Sequence, residues 1–307
     1  MSRAVVYERF GSAEVLELRD VPEPHAGPGE LRVRVAAAGL NPMDWGISSR
    51  AEVAAMFGIT APSGFGSDFA GIVDELGEGI VDFEVGDRVY GGAMARAVAE
   101  FAVVKPAADP VWHTPDGISE EVASTLPVAG LTAAAALAAT GLRAGDTILI
   151  GGAAGGVGVF AVQLAKLAGA RVIGTASETT FEFLRQLGAE PVVYGPGLED
   201  RVRALVPEGI TAATDLFGTE TAEAALRLGV LTERISTIAA QAKPLAGVCS
   251  TGARDASPDA MAQITDAILA GSIAVPIAAR FKIDQIREAV TLQRGRHTHG
   301  KIVITLN

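Results

Sequence analysis

One run of residues limits the possible folds of this chain more than any other. It is Asp146-Thr-Ile-Leu-Ile-Gly-Gly-Ala-Ala-Gly-Gly-Val-Gly-Val-Phe-Ala-Val-Gln-Leu-Ala-Lys166. In order it reads as a short apolar strand, Thr147 to Ile150, a glycine-rich turn, and a helix from about Val157. The turn matches the pattern Gly-x-Gly-x-x-Gly with Ala153 in the first place, followed by Gly155 and Gly158. A missing side chain at Gly155 lets backbone approach a pyrophosphate, and one at Gly158 lets the helix pack close to the strand. The helix N-terminus then offers N–H groups and a partial positive charge to the phosphates, here through Ala154, Gly155, Gly156 and Val157. Among 36 glycines the bare pattern says little, but the strand, turn and helix around it point to a dinucleotide site. The run from Thr147 to Ala165 is also uncharged for 19 residues, the length of a membrane span. Five glycines between Gly151 and Gly158 argue against a span, and a parallel strand covered on both faces is expected to be this apolar.

Composition bounds the partners. A chain of 307 residues, 49% apolar and 20% charged, is globular and suits one large or two ordinary domains. Its net charge of −11 repels phosphate backbones and anionic lipid, so no nucleic acid and no membrane partner is expected. The first residues become charged at once and show no apolar signal region. Cys249 stands alone, which rules out an intrachain disulfide and fits a reducing, cytoplasmic setting. As an inert small hydrophobe it is expected to be buried.

Up to about residue 120 the chain reads as an antiparallel, barrel-like, β-rich domain. Its strand-like runs are Ala4 to Tyr7, Glu14 to Arg19, Leu31 to Ala38, Ala70 to Leu76, Arg88 to Tyr90 and Phe101 to Val104. Within Leu31-Arg-Val-Arg-Val, apolar and charged residues alternate as in a half-buried strand. Glu120 to Thr140 is helical, with Pro127 and Gly130 as internal breaks. From Asp146 strands and helices alternate, the sign of a doubly wound parallel sheet of Rossmann type. Further strands are expected at Arg171 to Thr175, Pro191 to Tyr194, Ala213 to Phe217 and Ile235 to Ala239. The last strand, Lys301 to Leu306, needs a partner and is expected to return to the first domain.

Six motifs in order carry a family resemblance. They are Gly39-Leu-Asn-Pro-Met-Asp44, Gly66-Ser-Asp-Phe-Ala-Gly71, Val85-Gly-Asp-Arg-Val-Tyr-Gly91, Leu126-Pro-Val-Ala-Gly-Leu-Thr132, Ala153-Ala-Gly-Gly-Val-Gly158 and Gly300-Lys-Ile-Val303. Together they resemble the medium-chain dehydrogenase/reductase superfamily, in its zinc-independent, quinone oxidoreductase-like (zeta-crystallin-like) branch. The resemblance implies a GroES-like catalytic domain built from residues 1–120 and 271–307 around a Rossmann domain, 121–270. It also implies a cofactor in the cleft between them and a homodimer.

Zinc-dependent relatives place a cysteine where this chain has Asn41 to Asp44, and a His-Glu pair where it has Ser67-Asp68. One cysteine supplies neither a catalytic nor a structural zinc site, and His297 and His299 lack further ligands, so no metal is expected. An NAD site usually carries an acid at the end of the second strand. Here that end is Thr175-Ala-Ser177, whose hydroxyl resembles NADPH-using relatives, although Glu178 follows where they often carry a basic residue. The expected cofactor is NADPH, with NADH the lesser fit.

By the same resemblance Asn41, Pro42 and Asp44 lie beside the nicotinamide and its ribose and orient the ring, with Thr132 on the nicotinamide side. Locally, Asn-Pro-x-Asp is also a competent helix cap. Tyr194, Phe217, Ile238 and Ala239 complete the expected cofactor site. Asp68 and Asp87 read as structural. No tyrosine follows the Asn-x-x-Asp motif, so no proton donor is assigned. Trp45 and Phe65, with the wall Arg50 to Phe65, would shape an apolar substrate pocket. The expected reaction is hydride transfer to a quinone or an activated carbon–carbon double bond of an enone or enal. The rivals are an alcohol dehydrogenase, disfavoured without zinc ligands, and an NADPH-binding sensor or crystallin-like protein with little turnover.

Overall fold

Prolines and glycines cut the first part of the chain into short strands, and these close around one apolar core. In the computed structural model, which describes residues 1–238, 245–296 and 298–306, the chain divides into two units, Met1–Val128 with Ile277–Asn307, and Ala129–Pro276. The first unit opens with β1 (Ser2–Tyr7), β2 (Glu17–Val21) and β3 (Leu31–Leu40). Two helices, α1 (Pro42–Ser49) and α2 (Ala51–Met56), precede β4 (Ser63–Gly64) and β5 (Asp68–Leu76). Then come β6 (Arg88–Gly92), β7 (Phe101–Val104), β8 (Val111–His113) and the short α3 (Glu120–Ala123).

The second unit follows α4 (Leu126–Ala139) with β9 (Thr147–Gly151), α5 (Gly158–Leu167), β10 (Arg171–Ala176), α6 (Phe181–Leu187) and β11 (Glu190–Val193). It continues through α7 (Leu198–Leu205), β12 (Ala212–Asp215), α8 (Glu220–Arg227), β13 (Ile235–Thr237), β14 (Cys249–Ser250) and α9 (Ala260–Leu269). The chain then returns to the first unit as β15 (Ile277–Lys282), α10 (Ile286–Arg294) and β16 (Lys301–Thr305).

In the first unit β16 finds its partner in β3, antiparallel, with Ile302 opposite Leu40. β3 is also flanked by β5 and β7, so most of a mixed sheet is organised on one long strand. Val5, Leu31, Val33, Phe69, Val89 and Ile302 are fully buried and form its core. The alternation along β3 does not hold at Arg32, which is buried while Arg34 is exposed. Burial is tolerated there because the guanidinium pairs with Asp74 at 2.9 Å and Glu23 at 3.1 Å, and lies over the Phe101 ring. The run Glu14 to Arg19 is not one strand: Ala13–Val15 makes a tight helical turn, and β2 begins only at Glu17.

In the second unit the sheet is parallel, in the order β11-β10-β9-β12-β13-β14, a doubly wound Rossmann arrangement. Its central strand β9 buries Ile148, Leu149 and Ile150 completely, as its unbroken apolar run requires. The helical stretch before it breaks at Ser124 and Thr125, not at Pro127 or Gly130. Pro127 sits in the first turn of α4, where its missing N–H costs nothing. Gly130 faces Ile264, whose Cδ1 a Cβ would approach to 3.2 Å. The strand expected to reach Phe217 stops at Asp215, and Ala239 and His297 lie outside the described residues. Cys249 is exposed on β14 rather than buried. No described helix is long and apolar enough to cross a membrane.

The two fingerprint glycines differ in what surrounds them. A Cβ on Gly158 would lie 2.3 Å from the Gly152 carbonyl oxygen and 2.5 Å from that of Ala153, whereas one on Gly155 would come no closer than 3.3 Å to any of its neighbours. Gly158→Ala is therefore expected to lower the unfolding free energy by ~1–3 kcal/mol, and Gly155→Ala by much less. Urea denaturation of the two variants measures the difference, and equal losses would contradict the packing account.

Candidate active site

Three strand ends of the first unit meet at one place. β3 ends at Leu40, β5 begins at Asp68 opposite Gly39, and β16 begins at Lys301. Asn41, with extended backbone, caps α1, and Pro42 takes the first helical position. The Asn41 N–H donates to Asp44 Oδ2 at 2.8 Å, and Ser67 Oγ donates to Asp44 Oδ1 at 2.6 Å. The Asn41 amide donates from Nδ2 to Asp68 Oδ2 at 2.8 Å, and its Oδ1 accepts from Lys301 Nζ at 2.5 Å. Lys301 Nζ also donates to the Leu40 carbonyl at 3.3 Å, which accepts from Gln293 Nε2 at 2.9 Å as well. The Val128 N–H donates to Asp68 at 3.3 Å. Every side chain of the cluster Asn41, Asp44, Ser67, Asp68 and Lys301 is at most 3% exposed.

Burial fixes the protonation of this cluster. One ammonium and two carboxylates away from water would carry a net negative charge, which a low-dielectric interior disfavours. Burial pushes the Asp44 carboxyl up to about 6, against hydrogen bonds from Ser67 and Asn41 and the charge of Lys301. It pushes Asp68 up to about 7, against Lys301 and Asn41 and helped by the nearby Asp44. Burial lowers the Lys301 ammonium, and Asp68 and Asp44 hold it up. The two carboxyls titrate as a pair that takes up a proton near neutral pH.

The second unit holds the other candidate residues. β9 leads into the turn of Ala154, Gly155, Gly156 and Val157, all partly exposed, and α5 starts at Gly158 directly against that turn. Beside it β10 ends at Ala176, and Ser177 Oγ, partly exposed, shares hydrogen bonds with Thr179 and Thr180 at 3.0 and 2.9 Å. Glu178 is exposed next to it. At the carboxyl ends of the neighbouring strands, Tyr194 is 55% and Phe217 58% exposed, an uncommon state for large aromatic residues. Thr132 is buried on α4 and Ile238 is partly buried after β13. The glycine turn, the helix start and the serine at the strand end fit a dinucleotide. Among the described residues no group of three or more His, Cys, Asp or Glu is placed to hold a metal ion.

Two residue sets thus emerge, one in each unit. Asn41 and Asp44 are brought together, but with Asp68, Ser67 and Lys301, and as buried, hydrogen-bonded groups. Trp45 is half-buried, its Nε1 donating to Gln293 Oε1 at 3.0 Å, with the Arg294 guanidinium 5.5 Å from the ring. Phe65 is 2% exposed and lines a cavity of about 10 Å³, the size of one water, together with Tyr7, Asp44 and Ser67. The stretch expected as a wall, Arg50 to Phe65, contains α2 and β4. Tyr90 is buried and stacks on Trp112. Lys301, Ser67 and Gln293 were not anticipated as parts of the site. A lysine inside the apolar run Gly300-Lys-Ile-Val-Ile304 was the available signal, since a charge there must be buried with a partner. Asp215 was also missed: buried at the end of β12, it accepts from the N–H groups of Phe217, Gly218 and Thr221 and so shapes the turn that carries Phe217.

Comparison with known proteins bears on the family and the fold. The alcohol dehydrogenase GroES-like domain model matches residues 27–115, and the zinc-binding dehydrogenase model matches residues 156–255. The chain is 32% identical to a quinone oxidoreductase of Pseudomonas aeruginosa over 99% of both proteins. Its fold is similar to that of the quinone oxidoreductase from Coxiella burnetii, with TM-score 0.87 and 27% identity over 100% of this chain and 99% of that one. It is equally similar to a mycobacterial protein solved in complex with NADPH, with TM-score 0.87 and 27% identity over 100% of both chains. The chain belongs to the quinone oxidoreductase branch of the medium-chain dehydrogenase/reductase family, a family of oxidoreductases.

The raised carboxyls give the cluster a pH signature. Asp68 titrates near 7 in the fold against an ordinary 3.8, so its contribution to stability is fully present below about 3.8 and is lost as pH rises through about 7. Asp68→Asn removes that dependence. Its unfolding free energy relative to the parent protein is expected to rise between pH 5 and pH 8 by on the order of 2 kcal/mol. Urea unfolding at the two pH values measures this, and a difference independent of pH would show Asp68 ionised throughout.

Proposed function

We propose that the protein is an NADPH-dependent, metal-free reductase of quinones or of activated carbon–carbon double bonds. The observation that carries the cofactor choice is the end of β10. Ser177 presents a hydroxyl there and no carboxylate ends the strand, which suits a ribose 2′-phosphate rather than a free 2′-hydroxyl. The NADPH carried by the mycobacterial relative supports the same choice. In this reading Ala154 to Val157 hold the pyrophosphate at the α5 N-terminus, and Tyr194 and Phe217 give the cofactor apolar faces at the strand ends.

When bound, the reduced nicotinamide supplies a hydride to an electron-poor acceptor. The protein's share is placement. Asn41 and Asp44 fix the chain between β3 and α1, with Pro42 exposed at its tip, so this segment meets the cofactor in one conformation. Trp45 adds an apolar wall that suits a flat conjugated acceptor. Tyr7 and Tyr90 are buried, and the enolate or hydroquinone anion takes its proton from solvent.

With a panel of quinones and enones, NADPH is expected to give a kcat/KM at least about 10-fold above NADH, and Ser177→Asp to cost NADPH about 10-fold or more while sparing NADH, since an added carboxylate repels the 2′-phosphate. A preference for NADH would overturn the cofactor assignment. Tight NADPH binding without turnover on any compound would replace the reductase with a sensor or crystallin-like protein.

A further inference from the structure

We infer that Lys301 is a positioning residue: by donating to Asn41 Oδ1 it locks the orientation of the Asn41 amide, and with it the conformation of the segment from Leu40 to Asp44. This deepens the reductase reading and rests on it for its kinetic readout.

The argument follows from donor and acceptor chemistry. An ammonium has only donors to give and a carboxylate at this site accepts, whereas an amide offers one oxygen and one NH2. Asn41 lies between Lys301 at 2.5 Å and Asp68 at 2.8 Å. Only one orientation satisfies both neighbours, oxygen toward Lys301 and nitrogen toward Asp68. Lys301 and Asp68 reach each other through this amide. The ammonium also binds the Leu40 carbonyl, so it holds two consecutive residues at the exit of β3. Lys301 itself has little freedom. It is 2% exposed, and its strand is fixed by the pairing of Ile302 with Leu40 and of Val303 with Gly39. Gly39 in turn admits no side chain, since a Cβ there would lie 2.1 Å from the Ser124 carbonyl oxygen. The lysine therefore projects from a rigid strand onto the one residue that links β3 to α1.

A purely structural lysine would serve only to balance the buried carboxylates, and that role can be separated from positioning. Lys301→Met removes both the charge and the donor. Adding Asp68→Asn in the same chain restores electrical balance by neutralising Asp68, but does not restore the lock, because an amide at position 68 can donate as well as accept and so lets the Asn41 amide take either orientation. We expect Lys301→Met to lower the melting temperature and kcat together, and the double variant to recover the melting temperature while kcat stays at least about 10-fold below the parent, with the Kd of NADPH, read by its fluorescence, changed by less than about 3-fold. Recovery of kcat together with stability in the double variant would leave Lys301 a charge-balancing residue and overturn the inference, as would a kcat for Lys301→Met within about 2-fold of the parent. A readout that needs no turnover keeps the inference apart from the proposed activity. The side-chain NH2 of Asn41, followed by NMR, is expected to be protected from solvent exchange in the parent and to lose that protection in Lys301→Met. Unchanged protection overturns the inference. A parent protein that shows the protection but reduces no quinone or enone overturns the proposed reaction and leaves the lock in place.

Discussion

A buried amide held between a lysine and an aspartate ties together the first unit of this protein. Polar groups cannot be left unpaired away from water, and at the meeting of β3, β5 and β16 the backbone brings Asn41, Asp68 and Lys301 into one dry volume. Asn41 bridges the other two, while the Leu40 carbonyl accepts from Lys301 and the Val128 N–H donates to Asp68. The pairing of the C-terminal strand with β3 is thus also what completes the Asn41 to Asp44 turn. Two chain segments about 260 residues apart, 260 by the Lys301–Asn41 bond, are joined by side-chain chemistry as well as by a strand ladder. Such a cluster is costly to build, because each charge gives up hydration, and it favours a single geometry over stability for its own sake.

The second unit works by the opposite device, the absence of side chains. Gly158 lets α5 start against the carbonyls of Gly152 and Ala153, and Gly151 leaves room for the Thr221 hydroxyl, which a Cβ would meet at 2.4 Å. Asp215 then gathers the N–H groups of the β12–α8 turn. The result is a row of strand ends carrying Gly155, Ser177, Tyr194 and Phe217 at the carboxyl edge of one sheet, the edge where parallel sheets bind ligands.

The chain belongs to an oxidoreductase family. The proposed hydride transfer would ask the protein for orientation more than for bond-making groups. Zinc ligands and a tyrosine after the Asn-x-x-Asp motif are missing from the sequence, and the residues that stand nearby, Ser67, Asp68 and Lys301, bond to Asn41 and Asp44.

The fold class and the glycine-rich turn were legible in the sequence because both rest on local rules. The run from Thr147 to Lys166 carries its own strand, turn and helix signals, and glycines mark where side chains cannot fit. The strand at Lys301 could be read from its apolar pattern, and its need for a partner from the same pattern. What local pattern could not give was the fate of charged residues. Arg32 and Arg34 look alike in an alternating strand, yet Asp74, Glu23 and Phe101 bury one while the other stays in water. Asn41 and Asp44 read as cofactor contacts or as a helix cap, and their enclosure by Ser67, Asp68 and Lys301 depends on three distant segments arriving together. By itself the sequence determined the fold class and the strand, turn and helix around the glycine run, since these follow from backbone sterics and periodicity over a few residues. Only the tertiary structure decided which polar groups are dry, what each is bonded to and how they are protonated, because burial and its compensation are properties of residues far apart in the chain.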